Sequence, residues 1–339
     1  MKVLVSGANG FVGSHIVAQL LDLGHQVCGT VRDLAQSAAY AHLRSLPGAA
    51  QSLELVQADL TADGAFRDHV QGVDGALHVA SPYAIKVNDP QRDLVDPAVR
   101  GTLAMLEACA QSASVKRVVV TSSIAAITDG PTGKILDESQ WAATASLDER
   151  PYSFSKVRAE RAAWRFVLDH VPDFDLVVIN PHLVIGPAMT GTLNPSNKVL
   201  CDLINGAYPA IMRISFGFVD VRDVARAHIQ ALLQPAAQGR YLCAAEPRTM
   251  AQVVNLLNHA GFDHHRLPRL RLDNRAGDLL VWAGSFAMPK ETGSYLRSHI
   301  GRDVPFDNGK IRRDLGIRFR DLDQSIVDSA NDLKAWGHV

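Results

Sequence analysis

Residues 2–16, KVLVSGANGFVGSHI, leave this chain few ways to fold. Val3, Leu4 and Val5 are a branched apolar run of the kind buried in a parallel strand. Glycines follow at 7, 10 and 13. Next comes a run with apolar Ile16, Val17, Leu20, Leu21 and Leu23, which Gly24 closes as a helix stop. Strand, glycine turn and helix make the opening unit of a dinucleotide-binding fold. Gly7 permits the tight turn out of the strand, Gly10 lets backbone approach a pyrophosphate, and Gly13 lets the helix lie close on the sheet. The phosphates would rest on N–H groups at the positive end of the helix. The spacing is GxxGxxG rather than GxGxxG, and a purely structural turn also produces it. Its place between an N-terminal strand and a helix favours the nucleotide.

The 339 residues allow one large domain or two coupled ones, and 47% apolar against 20% charged residues fits a sizeable core. A net charge of −1, with no basic block, speaks against nucleic acid as a partner. Cys28, Cys109, Cys201 and Cys243 are scattered, which suggests neither a disulfide framework nor a metal site and points to a reducing, cytoplasmic setting. No apolar run approaches the ~20 residues of a membrane span, so no membrane is expected. A strand starting at Lys2 leaves no signal peptide. The expected assembly is a monomer or homodimer.

Residues 26–32 read as the second strand, and its end is informative. NAD enzymes of this architecture usually place a carboxylate there for the adenosine ribose. This chain has Val31 and then Arg32, whose guanidinium suits a 2′-phosphate. That favours NADP; the alternative is a surface arginine paired to Asp33. Residues 34–46 read as a short helix and 53–57 as the third strand. Asp59, past that strand, would accept from the adenine amino group or cap a helix starting at Asp63. Residues 75–82 form the fourth strand and its exit, where the small Ala80 and Ser81 would let backbone lie along a ribose. His78, inside an apolar run, reads as a core residue rather than a base.

Residues 83–95 read as a loop facing the substrate, and 97–110 as a long helix. The fifth strand, 116–121, ends in the hydroxyl cluster Thr121-Ser122-Ser123, at the strand edge where ligands bind in open α/β sheets. Residues 128–147 read as an irregular excursion. A helix then carries Tyr152, Lys156, Val157, Trp164 and Leu168, with Arg158, Arg161 and Arg165 on its wet side. The sixth strand is 174–179. A helix is expected around 199–204, and 217–225 reads as a strand running into a helix, so the chain should rejoin the sheet within about 214–240. Overall the fold expected is α/β, a Rossmann-type doubly wound parallel sheet over residues 1–187. A smaller substrate-binding lobe would come from 188–213 and 241–339.

Tyr152 and Lys156, four apart on one helix, share a face. A free phenol, with a pKa of about 10, exchanges protons poorly at neutral pH, and a nearby ammonium favours its phenolate. Such a tyrosine can pass a proton to a substrate oxygen as hydride reaches carbon. Lys156 can also hydrogen-bond the nicotinamide ribose. Ser123 can hold the substrate oxygen in line and stabilise developing negative charge. Taken alone, such a pair also arises by chance on a surface.

With these residues in view, the sequence resembles the extended short-chain dehydrogenases/reductases, in their dihydroflavonol-reductase-like branch, which includes cinnamoyl-CoA and carbonyl reductases. The markers are GANGFVGSHI, TVRD, ADL at 58–60, HVASP at 78–82, TSSIAA at 121–126, YSFSK at 152–156, NPHLVIGP at 180–187, FVDVRDVARAH at 218–228 and the closing Asn308-Gly309-Lys310 with Leu315-Gly316. The resemblance implies a catalytic triad of Ser123, Tyr152 and Lys156. It implies cofactor contacts at Gly7, Asn9, Gly10, Phe11, Val12, Gly13, Arg32, Asp59, Leu60, Val79, Ala80, Ser81, Tyr152, Lys156, Pro181, His182, Leu183, Val184 and Ser196. The plant relatives carry a lysine after the strand-two arginine, and residues 34–43 here have none. NADP preference therefore rests on Arg32, and NAD use is possible. Pro82, Tyr83, Ser123, Ile124 and Tyr152 are expected to line the substrate, with His182 and parts of 200–218.

The function these readings imply is NAD(P)H-dependent reduction of small aldehydes and ketones to alcohols, reversible as an alcohol dehydrogenase. A sugar-nucleotide epimerase or hydroxysteroid dehydrogenase of the same fold is one rival, against which Arg32 argues. A non-enzymatic NADP(H) sensor is another, and it would have no need of Tyr152 and Lys156.

Overall fold

The computed structural model describes residues 1–81, 87–131 and 133–339. Pro82 and Tyr83, expected to line the substrate, lie outside the described residues. The chain opens with β1 (Lys2–Ser6), α1 (Phe11–Asp22) and β2 (Gln26–Val31). Two short helices follow, α2 (Ala41–Arg44) and α3 (Ala49–Ser52), then β3 (Leu53–Gln57) and β4 (Gly75–His78). Next come α4 (Asp96–Ala110), β5 (Arg117–Thr121), α5 (Pro151–His170) and β6 (Asp175–Pro181). After β7 (Leu183–Ile185), α6 (Pro195–Ile204) and β8 (Ile211–Met212), β9 (Ser215–Asp220) leads into α7 (Val221–Leu233) and β10 (Gly239–Cys243).

Seven parallel strands form the main sheet in the order β10-β6-β5-β4-β1-β2-β3. The order reverses around β1, which opens a crevice at the carboxyl ends of β1 and β4. Both faces are covered, as the continuous apolar strands require. Val3 and Val5 point to one face with Ile16, Leu20, Val224 and Ile229, under α1 and α7. Leu4 points to the other with Met105, Leu106 and Phe166, under α4 and α5. This is the alternation a pleated strand imposes. A separate core joins Leu200 and Ile204 of α6 and Phe216 and Phe218 of β9 to Val253, Leu257, Ile326 and Leu333 from the C-terminal part.

The expected Rossmann-type sheet is present, with four local corrections. Residues 217–225 do run from a strand into a helix, but β9 pairs with β7 and with β11 (Glu246–Thr249) in a three-stranded sheet of its own. The chain rejoins the main sheet only through β10, beside β6. Residues 34–46 are not one helix: a 3-10 turn at Ser37–Tyr40 precedes the single turn of α2. No helix starts at Asp63; the chain turns through 61–72, with Gly64 and Gly72 at positive φ. Last, α4 is preceded not by loop alone but by a π-turn at Gln91–Val95 that feeds directly into it.

The closing Asn308-Gly309-Lys310 straps this new edge strand. Asn308 Nδ2 donates to the carbonyls of Ala244 and Ala245 at 2.7 and 3.0 Å. Lys310 Nζ donates to those of Gln238 and Arg240 at 2.9 and 2.8 Å.

Candidate active site

The site is built at the carboxyl ends of β1, β4 and β5. Gly7 leaves β1 with φ +66°, where a Cβ would sit 3.0 Å from Ala80 Cα. The glycine turn therefore lies against the exit of β4, at Val79, Ala80 and Ser81. A Cβ on Gly13 would stand 2.1 Å from the Gly7 carbonyl oxygen, which only glycine tolerates. Gly10 caps α1 in extended conformation, and no side chain caps the helix. The first-turn N–H groups, at Phe11, Val12 and Gly13, thus face the crevice without a side-chain acceptor. Such a cradle fits the pyrophosphate of a dinucleotide.

Ser6, fully buried, fixes the floor beside it. Its Oγ accepts the Val79 and Ala80 N–H groups, each at 3.0 Å, and lies 3.0 Å from His78 Nδ1. With both amides donating, the Ser6 hydroxyl proton goes to Nδ1. Burial, with the charge of Lys156 adding to it, holds the His78 pKa down at about 4. His78 is the neutral core histidine the sequence suggested.

Arg32 follows β2 as an exposed side chain, and its charge acts on Asp59. Asp59 does not cap a helix. Its Oδ1 accepts from Thr61, from the N–H at 2.9 Å and the hydroxyl at 2.7 Å, and these bonds hold its carboxyl below the usual range. Leu60 packs where a Cβ on Gly101 of α4 would otherwise go.

Lys156 is nearly buried, and its Nζ donates to Ser81 Oγ at 2.7 Å. The same ammonium lies 5.6 Å from the centre of the Tyr152 ring, which is half exposed. The helical offset of four thus brings cation and phenol together, and Ser81 ties both to the β4 exit. Ser123 begins a 3-10 turn, Ile124–Ala126; its Oγ accepts the Ala125 N–H at 3.2 Å, leaving the hydroxyl proton to donate outward.

Further along, Pro181 ends β6 and Leu183 and Val184 lie in β7. His182 Nδ1 accepts the Leu183 N–H at 3.0 Å, and its ring fills the space a Cβ on Gly217 would need. Burial, with His299 nearby, holds it neutral with a pKa of about 4. Ser196 sits in the first turn of α6, where its N–H is used by Asn194 Oδ1 at 3.0 Å.

A network beneath the catalytic residues was not expected from the sequence. Glu160, one turn beyond Lys156 on α5, is 1% exposed. It accepts from Ser122 Oγ at 2.5 Å, Asn180 Nδ2 at 2.8 Å and Arg240 Nε at 2.5 Å. Asn180 also donates to the Ser123 carbonyl at 3.2 Å. Arg240 reaches out to the carbonyls of Glu138 and Gln140 at 2.9 and 2.6 Å, and its guanidinium stacks 3.9 Å from the Trp141 ring. One buried ion pair therefore joins Ser123, the helix of Tyr152 and the irregular excursion. The i+4 step from Lys156 was the only local signal for it.

Comparison with known proteins decides the lineage. Residues 3–244 match the family model described as NAD dependent epimerase/dehydratase family. The chain belongs to that family. Within it, the chain is 36% identical to "Cinnamoyl-CoA reductase CAD2" of Medicago truncatula, over 98% of this chain and 95% of the relative. It is 34% identical to "Ketoreductase azaE" of Aspergillus niger, over 98% and 97%. Among solved structures it is similar to yeast methylglyoxal/isovaleraldehyde reductase Gre2 complexed with NADPH, at TM-score 0.81 and 30% identity, covering 100% of both chains. The expected dihydroflavonol-reductase-like branch of this family is thereby supported, with a "Bifunctional dihydroflavonol 4-reductase/flavanone 4-reductase" of Pyrus communis among the relatives.

Proposed function

We propose that this chain reduces aldehydes and ketones to alcohols with NADPH, and runs in reverse as an alcohol dehydrogenase. The observation that carries the reading is the Lys156 ammonium held between the Tyr152 ring and Ser81, at the mouth of a glycine cradle. When bound, the nicotinamide supplies a hydride for the carbonyl carbon. The residues of the chain do the rest. Ser123 donates its hydroxyl proton as a hydrogen bond to the carbonyl oxygen and fixes its direction. Tyr152 passes its phenolic proton to that oxygen, which completes the alcohol. Lys156 stabilises negative charge on the phenol oxygen as the proton leaves, while Ser81 keeps the ammonium in place.

Gly7, Asn9, Gly10, Phe11, Val12 and Gly13 hold the pyrophosphate in this proposal, and Arg32 takes the 2′-phosphate. The adenine falls to Asp59 and Leu60, the ribose slot to Val79, Ala80 and Ser81, and the nicotinamide end to 181–184 and Ser196. Ile124 flanks the substrate. A cytoplasmic monomer or homodimer completes the proposal; the four cysteines are all buried and unpaired.

The test is Tyr152→Phe, followed by oxidation of NADPH with methylglyoxal or an aromatic aldehyde. A fall in kcat of about a thousandfold, with melting temperature retained, is expected. Undiminished turnover would sink the reading.

A further inference from the structure

Beside the proposed catalytic pair lies a cleft of about 470 Å³ whose charges the reduction itself does not use. It is walled by residues 127–131, Trp141, Arg150, Ser298 and Arg302. The segments that carry Ser123 and Tyr152 run straight into it. Residues 127–131 follow the Ser123 turn, and Arg150 stands two residues before Tyr152.

Two guanidiniums, those of Arg150 and Arg302, line this cleft. Among the described residues, no carboxylate lies within ion-pair distance of Arg150 or Arg302. The one acid among the residues lining the cleft is Asp129. Asp129 is partly engaged, because its Oδ2 accepts the Thr144 N–H at 2.6 Å and hydroxyl at 2.9 Å.

Arg150 is also held at a backbone position that disfavours it. Its φ of 60° and ψ of 56° are left-handed, and it precedes Pro151, which pushes its neighbour towards extended conformations. An arginine kept where glycine or asparagine would sit more easily points to a use for its side chain. The two arginines converge on one imidazole. Arg150 Nη1 and His299 Cε1 lie 3.7 and 3.3 Å from the point a Gly130 Cβ would occupy, and both arginine charges act on His299. Burial, with these cations assisting, keeps His299 neutral, so it offers a hydrogen bond without a further charge.

We infer that this cleft binds a carboxylate at the far end of the carbonyl substrate, so that the substrate class is an aldehyde or ketone that is also an acid. The inference rests on the carbonyl-reductase reading of the same site.

The experiment compares 4-formylbenzoate with its neutral methyl ester, each with NADPH. A kcat/KM about tenfold higher for the acid, carried by KM, is expected in the native protein. The acid-to-ester ratio should fall to near one in Arg302→Gln and in Arg150→Gly. The latter suits the left-handed backbone, so its melting temperature separates a lost charge from a lost fold. Arg269→Gln, an exposed charge change outside the cleft, should keep the native ratio. Benzene-1,4-dicarboxylate, which has no aldehyde to reduce, should bind the native protein in calorimetry and bind Arg302→Gln about tenfold more weakly. A native ratio of one, or a preference that survives both arginine variants, overturns the inference. Loss of reduction of both compounds overturns the carbonyl-reductase reading instead, and the dicarboxylate titration still reports on the cleft.

Discussion

The floor and the wall of this site are built in different ways. The floor is mostly backbone: the glycine turn, the uncapped start of α1 and the exit of β4, pressed together so closely that a Cβ at Gly13 would lie 2.1 Å from a carbonyl oxygen. The wall is mostly side chains, brought from residues 127–131 and 140–144, from Arg150 and from Ser298 and Arg302. Backbone geometry admits a generic feature of a ligand, such as a phosphate, and is intolerant of change. Side chains can be exchanged one by one, so the wall is where relatives with one chemistry can differ in substrate. The Glu160–Arg240 pair is the joint between the two, since it holds Ser122 and Asn180 on one side and the carbonyls of Glu138 and Gln140 on the other.

The largest test of this contrast is acid. His78 in the floor, His182 near the wall and His228 under β5 all have pKa values of about 4, lowered by burial from 6.5. Between those values the unfolded chain binds the protons first, so stability is intact above pH 6.5 and is lost as pH falls towards 4. Each histidine accounts for about 2 kcal/mol at pH 5. Urea midpoints at pH 7 and pH 5 measure the total. His78→Gln and His182→Gln should each remove one share; if only one does, the two regions do not ionise alike.

Next is the joint itself. Glu160→Gln leaves Arg240 buried without its carboxylate and should cost about 3–5 kcal/mol of unfolding free energy. An unchanged urea midpoint would mean that floor and wall are held together by other contacts. Then comes the floor alone: Gly13→Ala should raise the NADPH dissociation constant about a hundredfold in a fluorescence titration, roughly 3 kcal/mol. Retained binding would show that the turn can yield. The smallest effect is expected at Arg32→Ala, where the NADPH-over-NADH preference in kcat/KM should drop about tenfold. A preference that persists would place 2′-phosphate recognition elsewhere.

The same contrast governs what could be read from the sequence. The floor was legible because glycine spacing encodes a backbone requirement directly, and Tyr152 with Lys156 because a helical offset of four fixes proximity. The wall was not, because Arg302 comes to the cleft from a C-terminal segment that no local pattern connects to residues 127–131. Glu160 was missed because a charged helix residue normally faces water, and its burial depends on Arg240, far along the chain. Residues 217–225 were correctly seen as a strand running into a helix, yet strand propensity does not say which sheet a strand joins. Asp59 was offered as a helix cap for a helix that Gly64 and Gly72 turn aside.

The Ser6 hydroxyl, which accepts both the Val79 and Ala80 amides, has a practical consequence. Those two donors are occupied from inside the protein, so along this rim the crevice judges a guest by its thickness and not by its polarity. Residue 80 is therefore a gauge: lengthening its methyl narrows the slot, and trimming it to glycine widens it, while the electrical character of the groove stays as it was.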